Sequence, residues 1–295
     1  MIVTLLVFLS LILGAFLAAV FYWATWIEPR SFQVNRHEVT IPKWLDHPLR
    51  ILHLSDTHFA KPDRHLSRFF DQLAKLDYHF VFLTGDIMDC EEGIPICVEN
   101  LKKLRPTHGF FAVFGNHDYY DYRLLDVFTH NFPGQKKPLR EQHSDLLKEA
   151  LEGIGVRVLK NETATAYFEG NHLLIHGLDD PTTGRANVRQ AMHDFHPKEI
   201  NLLLTHTVDA FLDIGENEID VSFSGHSHGG QIRLPGVGPI ISHTMIGRQY
   251  ASGILSYQGA VCSISRGVNA SRYFYLRLLC PPEAILLTLR GQKSA

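Results

Sequence analysis

The sequence predicts an α/β domain in which strands alternate with helices, carried behind an apolar N-terminal helix long enough to cross a bilayer. Three observations point there. Short apolar runs recur between turn and helix signals, the segment from Ile2 to Ile27 holds no charged side chain, and Asp, Asn and His residues directly follow five of the apolar runs.

Composition sets the bounds. The chain has 295 residues, 45% of them hydrophobic and 20% charged, which fits one large globular domain and excludes disordered, collagen-like and disulfide-scaffold classes. Lys plus Arg is 28 against 31 for Asp plus Glu, a net charge of -3, so there is no global basic surface and nucleic acid is not an expected partner. Cys90, Cys97, Cys262 and Cys280 show no C-x-x-C spacing and read as buried free thiols in a reducing compartment.

As a helix rising 1.5 Å per residue, Ile2 to Ile27 would span about 39 Å, more than the roughly 30 Å hydrocarbon core. The segment lacks the basic flank, short apolar core and small-residue cleavage site of a signal peptide. Tyr22, Trp23 and Trp26 cluster at its end, where amphipathic rings favour the interface, and Arg30, Arg36 and Lys43 follow. The expectation is an uncleaved single-pass anchor over residues 1-28, a polar connector over 29-49 and a domain over 50-295. The positive-inside bias places that domain on the cytoplasmic side of the inner membrane.

Strands are expected at Arg50 to Leu54, Phe80 to Leu83, Phe110 to Phe114, His172 to His176, Asn201 to Leu204, Asp220 to Phe223, Ala260 to Ile264 and Ala284 to Leu289. Helical periodicity is clearest in Leu66 to Leu76 and in Asp145 to Leu151, the latter closed by Gly153 in a C-cap position. Asp56 and His58 follow the first strand, Asp86 and Asp89 the second, Asn116 and His117 the third, His206 a later one, and His226 and His228 the next. Ligands of open α/β sheets bind outside the carboxyl ends of the strands, so these five turns should converge on one crevice.

Taken singly, Asp56-Thr57-His58 could cap a turn, and Gly85-Asp86 with Asp89 resembles an ordinary one. Gly115-Asn116-His117-Asp118 and Gly225-His226-Ser227-His228-Gly229-Gly230 say more, because glycine permits a tight turn on which several donors face one site. Three carboxylates, one amide and five imidazoles are too many for one tetrahedral zinc. Mixed N and O donors without thiolate suit Mn, Fe or Zn. Two divalent ions bridged by a carboxylate would use most of the set and promote in-line attack at phosphorus, which predicts phosphoester or pyrophosphate hydrolysis.

The ordered set Asp56-x-His58, Gly85-Asp86-x-x-Asp89, Gly115-Asn116-His117-Asp118, His206 and Gly225-His226-x-His228 resembles the calcineurin-like metallophosphoesterase family. That resemblance implies a four-layer sandwich of two mixed β-sheets flanked by helices. It also implies that Asp56, His58 and His228 hold a first metal, that Asn116, His206 and His226 hold a second, and that Asp86 bridges them. Manganese is the expected ion. His117, oriented by Asp89, would protonate the leaving oxygen or contact the phosphate.

His226 to Pro235, Ser265-Arg266-Gly267 and Leu279-Cys280-Pro281-Pro282-Glu283 resemble a membrane-associated branch containing YkuE- and YaeI-like proteins, similar to the UDP-2,3-diacylglucosamine pyrophosphatases of the LpxG type. A lipid-linked phosphoester or pyrophosphate substrate at a membrane is implied, with UDP-2,3-diacylglucosamine cleaved to lipid X and UMP in lipid A biosynthesis. Alternatives are a general phosphodiesterase on phospholipids or nucleotides, and an inactive metal-binding interaction module. Ser/Thr phosphatases of the family carry Arg where this chain has Cys90, which argues against protein phosphatase activity.

Arg266 is the candidate phosphate contact, since a guanidinium matches a pair of phosphoryl oxygens. His53, His79 and His176 read as surface or strand-packing residues, and Asp179-Asp180 as a turn cap or a substrate contact. Between Asp121 and His143, Leu124, Leu125, Val127, Phe128 and Phe132 accompany Arg123, Lys136, Lys137 and Arg140. This mixture suits either a lipid-facing lid or a packed capping helix.

Overall fold

The computed structural model describes residues 1-123, 139-215 and 219-292. Its strands are β1 (Gln33–Ile41), β2 (Leu49–Leu54), β3 (Phe80–Thr84), β4 (Gly109–Val113), β5 (Tyr120–Asp121), β6 (Arg140–Glu141), β7 (Arg157–Val158), β8 (Glu162–Phe168), β9 (Asn171–Gly177), β10 (Ile200–Leu204), β11 (Val221–Ser224), β12 (Arg233–Leu234), β13 (Gly238–Pro239), β14 (Gly253–Tyr257), β15 (Ala260–Ile264) and β16 (Glu283–Gly291). Two six-stranded sheets result, ordered β1-β16-β2-β3-β4-β7 and β14-β15-β11-β10-β9-β8. Both are mixed: β2-β3-β4 and β9-β10-β11-β15 run parallel, while β16 against β2, β8 against β9 and β14 against β15 are antiparallel.

Central strands are apolar on both faces because both faces are covered. Every residue of β3 is buried. Ile51, Phe80, Phe82 and Val113 pack from the first sheet against Ile175, Leu202, Leu204 and Phe223 from the second, forming the layer between them. Outside the first sheet, Leu52, Val81 and Leu83 meet Phe69, Phe70 and Leu101 of the helices. Outside the second, Leu203, Cys262 and Ile264 meet Met192, Val208 and Phe211. Four layers follow, and the carboxyl ends of β2, β3, β4, β10 and β11 deliver the turns that carry the Asp, Asn and His residues.

The helix Arg64–Leu73 starts at Asp63, whose carboxylate accepts the backbone N–H of His65 at 2.7 Å and of Leu66 at 3.2 Å. It buries Leu66, Phe69, Phe70 and Leu73, one face at helical spacing, and ends three residues before the expected Leu76. Gly153 follows the helix Ser144–Glu152 with φ -60°; the left-handed residue there is Gly155, at φ 85°. The segment 29-49, expected to be a connector, contains β1, which lies at the edge of the first sheet and pairs in parallel with β16. Its residues are largely exposed, so it carries no continuous apolar signal.

Residues Ile2–Arg30 form one helical segment of 29 residues, with a mean hydropathy of 2.7 over its most apolar 18-residue window, long and apolar enough to cross a membrane. No residue of its Ile2–Tyr22 portion is buried. The far end is tied to the domain. Arg277 N donates to Ala24 O at 2.9 Å, Trp23 Nε1 donates to Glu28 Oε2 at 2.7 Å, and the other Glu28 oxygen accepts the N–H of Cys280.

Candidate metal centre

The five turns meet in one place, and the backbone there is unusual. Asp56, His58, Asp86, His226 and His228 have φ of 51°, 41°, 49°, 67° and 49°, a left-handed region that residues with a Cβ seldom occupy. Such conformations cost free energy and persist where the surroundings over-determine them. Here the surroundings are neighbouring turns: Asp56 N donates to Gly85 O at 3.0 Å, His58 N to Asp86 O at 2.9 Å, and Gly225 N to His206 O at 2.9 Å. Close approach explains two of the glycines. A Cβ on Gly225 would lie 1.9 Å from Ser55 Oγ, and one on Gly115 would lie 2.4 Å from Asp86 Oδ1.

Two groups of donor atoms share Asp86, and a third joins His58 and Asp89 to His117. Asp56, His58, Asp86 and His228 place ligand atoms within 4.8 Å of one another, and so do Asp86, His206 and His226. Asp86 belongs to both. Its Oδ2 is 3.8 Å from His58 Nε2, while its Oδ1 is 3.4 Å from His206 Nε2. Within the first group His58 Nε2 faces His228 Nε2 at 3.3 Å, and His228 Nε2 is 3.5 Å from Asp56 Oδ1. Within the second His226 Nδ1 faces His206 Nε2 at 3.1 Å. Asn116 Oδ1 is buried without a hydrogen-bond partner. Imidazole nitrogens turned toward each other, a shared carboxylate and an orphaned amide oxygen are the arrangement that divalent cations satisfy. The donor set fits one such ion in each of the two groups that share Asp86.

Outer contacts fix which ring nitrogen is presented. His58 Nδ1 hydrogen-bonds Asp89 Oδ1 at 3.0 Å and His206 Nδ1 bonds Thr84 O at 3.0 Å, so Nε2 of each ring points inward. Asp89 Oδ1 also lies 2.8 Å from His117 Nδ1, and Asp89 Oδ2 accepts the backbone N–H of Arg272 at 2.5 Å. Burial alone would raise the Asp89 carboxyl, but His58 and His117 outweigh it and hold it well below the usual carboxylate range. Burial, reinforced by His206, pushes His226 down to about 3, which favours the neutral, ligating imidazole.

All seven expected metal ligands therefore come together, with His117 and Asp89 beside them. Arg266 does not join them. Its Nη2 pairs with Glu283 Oε2 at 2.7 Å, and its side chain lines a cavity shared with Asn35, Arg233 and Ser252. Asp180 caps its own turn, accepting from Thr182 N at 3.2 Å and Thr183 N at 2.9 Å, while Asp179 accepts the Tyr119 hydroxyl at 2.6 Å. His53 and His176 are buried in hydrogen bonds to Ser263 and Thr84, and to Thr163 and Asn201. His79 is partly buried and bonds Arg50 N. Leu124, Leu125, Val127, Phe128, Phe132, Lys136 and Lys137, the body of the lid-or-helix expectation, lie outside the described residues.

Several neighbours of the site gave no signal in the sequence. Asp118 accepts from Ile87 N at 2.8 Å, Met88 N at 3.0 Å and Gly115 N at 2.9 Å, which pins the Asp86 turn to the Asn116 turn. Tyr122 lies against His117 with ring centroids 4.6 Å apart and planes tilted by 35°, and hydrogen-bonds Asn116. His243 and Gln231 line the mouth of the cluster, a cavity of about 140 Å³. Only Asp118 and Gln231 sat in motifs noted from the sequence, the first adjacent to His117 and the second inside His226 to Pro235, and neither was given a role there.

Known proteins agree with this geometry. The family described as calcineurin-like phosphoesterase matches residues 49-230, which contain every ligand above. The chain is 32% identical over 190 residues to the uncharacterized metallophosphoesterase YkoQ of Bacillus subtilis, a match covering 63% of this chain and 63% of YkoQ, just under two thirds of that relative. It is 26% identical to UDP-2,3-diacylglucosamine pyrophosphatase LpxG of Chlamydia trachomatis, covering 90% of this chain and 91% of LpxG. It is also 26% identical to phosphodiesterase YaeI of Escherichia coli, covering 91% and 92%.

Proposed function

The chain belongs to the calcineurin-like phosphoesterase family of metal-dependent hydrolases, and we propose that it is a membrane-anchored, manganese-dependent pyrophosphatase cleaving UDP-2,3-diacylglucosamine to lipid X and UMP at the cytoplasmic face. One observation carries this reading. A complete dimetal donor set stands on a domain tied through Glu28, Ala24 and Arg277 to the end of a membrane-length apolar helix. A site held at a bilayer suits a substrate that resides in one. Likeness to LpxG over 91% of that pyrophosphatase supports the substrate.

Asp56, His58, Asp86 and His228 would hold one cation and Asp86, Asn116, His206 and His226 the other, and the pair would supply polarisation of a phosphoryl oxygen and a more acidic water. Asp86 spans the two groups and fixes their separation. His117, oriented by Asp89 and set against the Tyr122 ring, is the residue placed to protonate a leaving oxygen. Manganese suits the mixed imidazole and carboxylate donors, a set that also accepts iron or zinc. A second reading, a general phosphodiesterase on phospholipid or nucleotide substrates, is favoured by likeness to the phosphodiesterase YaeI over 92% of its length. A catalytically inactive interaction module is disfavoured by the completeness of the ligand set and by the presence of His117.

The test is a substrate panel on the detergent-solubilised full chain with Mn: UDP-2,3-diacylglucosamine, phosphatidyl esters and bis-nitrophenyl phosphate. Selective turnover of the first is expected. Preference for phosphatidyl esters would move the assignment to the second reading.

A further inference from the structure

His58 is the one metal-group residue that also borders a second cavity, of about 180 Å³, whose other walls take no part in ligation. Lys61, Asn269, Arg272 and Tyr275 line it, and Arg30 reaches it from the end of the apolar helix. The mouth beside Asp86, His117 and His226 has no Lys or Arg among its described lining residues. Of these two cavities, only the one beside His58 is lined by cationic side chains, together with the carboxylate of Asp63.

The charged walls differ in their partners. Arg272 pairs with Asp121 through Nη2, and Asp63, a further wall residue, caps the helix Arg64–Leu73 with its carboxylate. Among the described residues no carboxylate lies within ion-pairing distance of Arg30 or Lys61. Arg30 is braced against aromatic rings: its guanidinium sits 4.9 Å from the Trp26 centroid and 5.5 Å from that of Tyr275, and its Nη1 donates to Trp26 O at 2.8 Å. The Tyr275 hydroxyl donates in turn to Pro29 O at 3.3 Å. One wall of the cavity is thus the point where the apolar helix ends, beside the tryptophans that mark the headgroup level of a bilayer.

We propose that this cavity is the subsite for the lipid-side half of the substrate, a phosphate-linked polar headgroup whose acyl chains continue along the apolar helix. The linking phosphate lies against Lys61 and Arg30, the lining cations that no described carboxylate pairs, and the headgroup lies along Tyr275 and the Asn269 amide. Pockets that enclose whole drug-sized ligands run from roughly 300 Å³ upward, so this smaller one takes a headgroup and leaves the chains outside. The subsite fixes which side of the scissile bond faces the membrane. It rests on the hydrolase reading above but not on the identity of the sugar.

The test compares kcat/KM for UDP-2,3-diacylglucosamine, a phosphatidyl ester and bis-nitrophenyl phosphate, all in nonionic detergent so that bulk attraction to an anionic surface is not read. Lys61→Glu and Arg30→Glu should each lower the ratio of lipid to soluble diester by about tenfold, chiefly through KM, the scale of one charge-assisted contact. Lys102→Glu, at an exposed cation that does not line the cavity, should leave that ratio in place. If the Lys61 and Arg30 variants match the Lys102 variant, the subsite is overturned. If the unsubstituted protein prefers the phosphatidyl ester, the UDP-diacylglucosamine assignment fails while the subsite is judged on the preferred lipid. Turnover of the soluble diester alone would remove both.

Discussion

Asp89 Oδ1 lies 2.8 Å from His117 Nδ1, and the same oxygen bonds His58 Nδ1 at 3.0 Å. One carboxylate thus orients the proposed proton donor and an imidazole of the first metal group. Asp89→Asn should cut kcat on a soluble diester by about 10²- to 10⁴-fold, as for a lost proton-transfer group, and weaken metal affinity by about 10- to 100-fold, as for a lost outer partner. His117→Ala should lose rate similarly yet retain both ions. Metal analysis of the two purified variants separates these effects, and loss of both ions from the His117 variant would make it a ligand.

Asp86 directs one oxygen toward each of the two metal groups. Asp86→Ala should therefore abolish hydrolysis and reduce bound Mn from two ions to at most one, because no other side chain belongs to both groups. Activity and metal content measured on the same preparation check this. Retention of two ions with full activity would show that Asp86 does not bridge.

The ligand set was legible because each ligand sits in a short motif at the end of a strand apolar on both faces, so Asp56, Asp86, Asn116, His206 and His226 announce their own positions. β1 was not, since Gln33–Ile41 is a largely exposed edge strand whose partner β16 is more than two hundred residues away. The arginines were illegible for a similar reason. Arg266 and Arg272 are six residues apart on an irregular path, and only the fold sends the side chain of the first to Glu283 and that of the second to Asp121, at the edge of the cavity beside His58. Asp118 was visible beside His117, but its three backbone N–H partners come from turns that meet only in the folded chain.

Arg266 is engaged by Glu283, a carboxylate whose side chain is 5% exposed and which also accepts the Arg266 N–H at 2.8 Å. Arg266→Ala should cost about 2 kcal/mol of stability, by leaving that carboxylate short of its partner, while kcat/KM changes by less than about twofold. Urea unfolding and steady-state kinetics on one variant distinguish this from a phosphate-binding role, which would raise KM or lower kcat at unchanged stability.

A reporter fused after Ala295 should read as cytoplasmic. Arg30, Arg36 and Lys43 follow the apolar segment closely, and loop cations near a span bias its orientation toward the cytoplasm. Periplasmic activity of an alkaline phosphatase fusion would reverse the topology, and with it the proposal of a substrate taken from the cytoplasmic leaflet.

His53 joins the two sheets from the middle of β2: its Nδ1 bonds Ser263 Oγ on β15 at 3.0 Å and its Nε2 bonds Thr84 Oγ1 on β3 at 2.9 Å. Burial lowers its pKa from the ordinary 6.5 to about 3, since no carboxylate compensates the cost of a charged ring there. Below pH 6.5 the unfolded chain therefore binds a proton that the folded chain refuses. The stability contribution of the neutral ring is complete above pH 6.5 and is lost progressively as pH falls toward 3, by about 2 kcal/mol at pH 5. His53→Gln keeps an amide that can meet both hydroxyls but does not titrate, so its thermal stability should fall less steeply between pH 7 and pH 5. Parallel melting curves of both proteins across that range, on metal-free protein so that ligand protonation at the metal centre enters both equally, isolate the difference. Equal slopes would mean that His53 titrates normally and that the inter-sheet bridge opens to water.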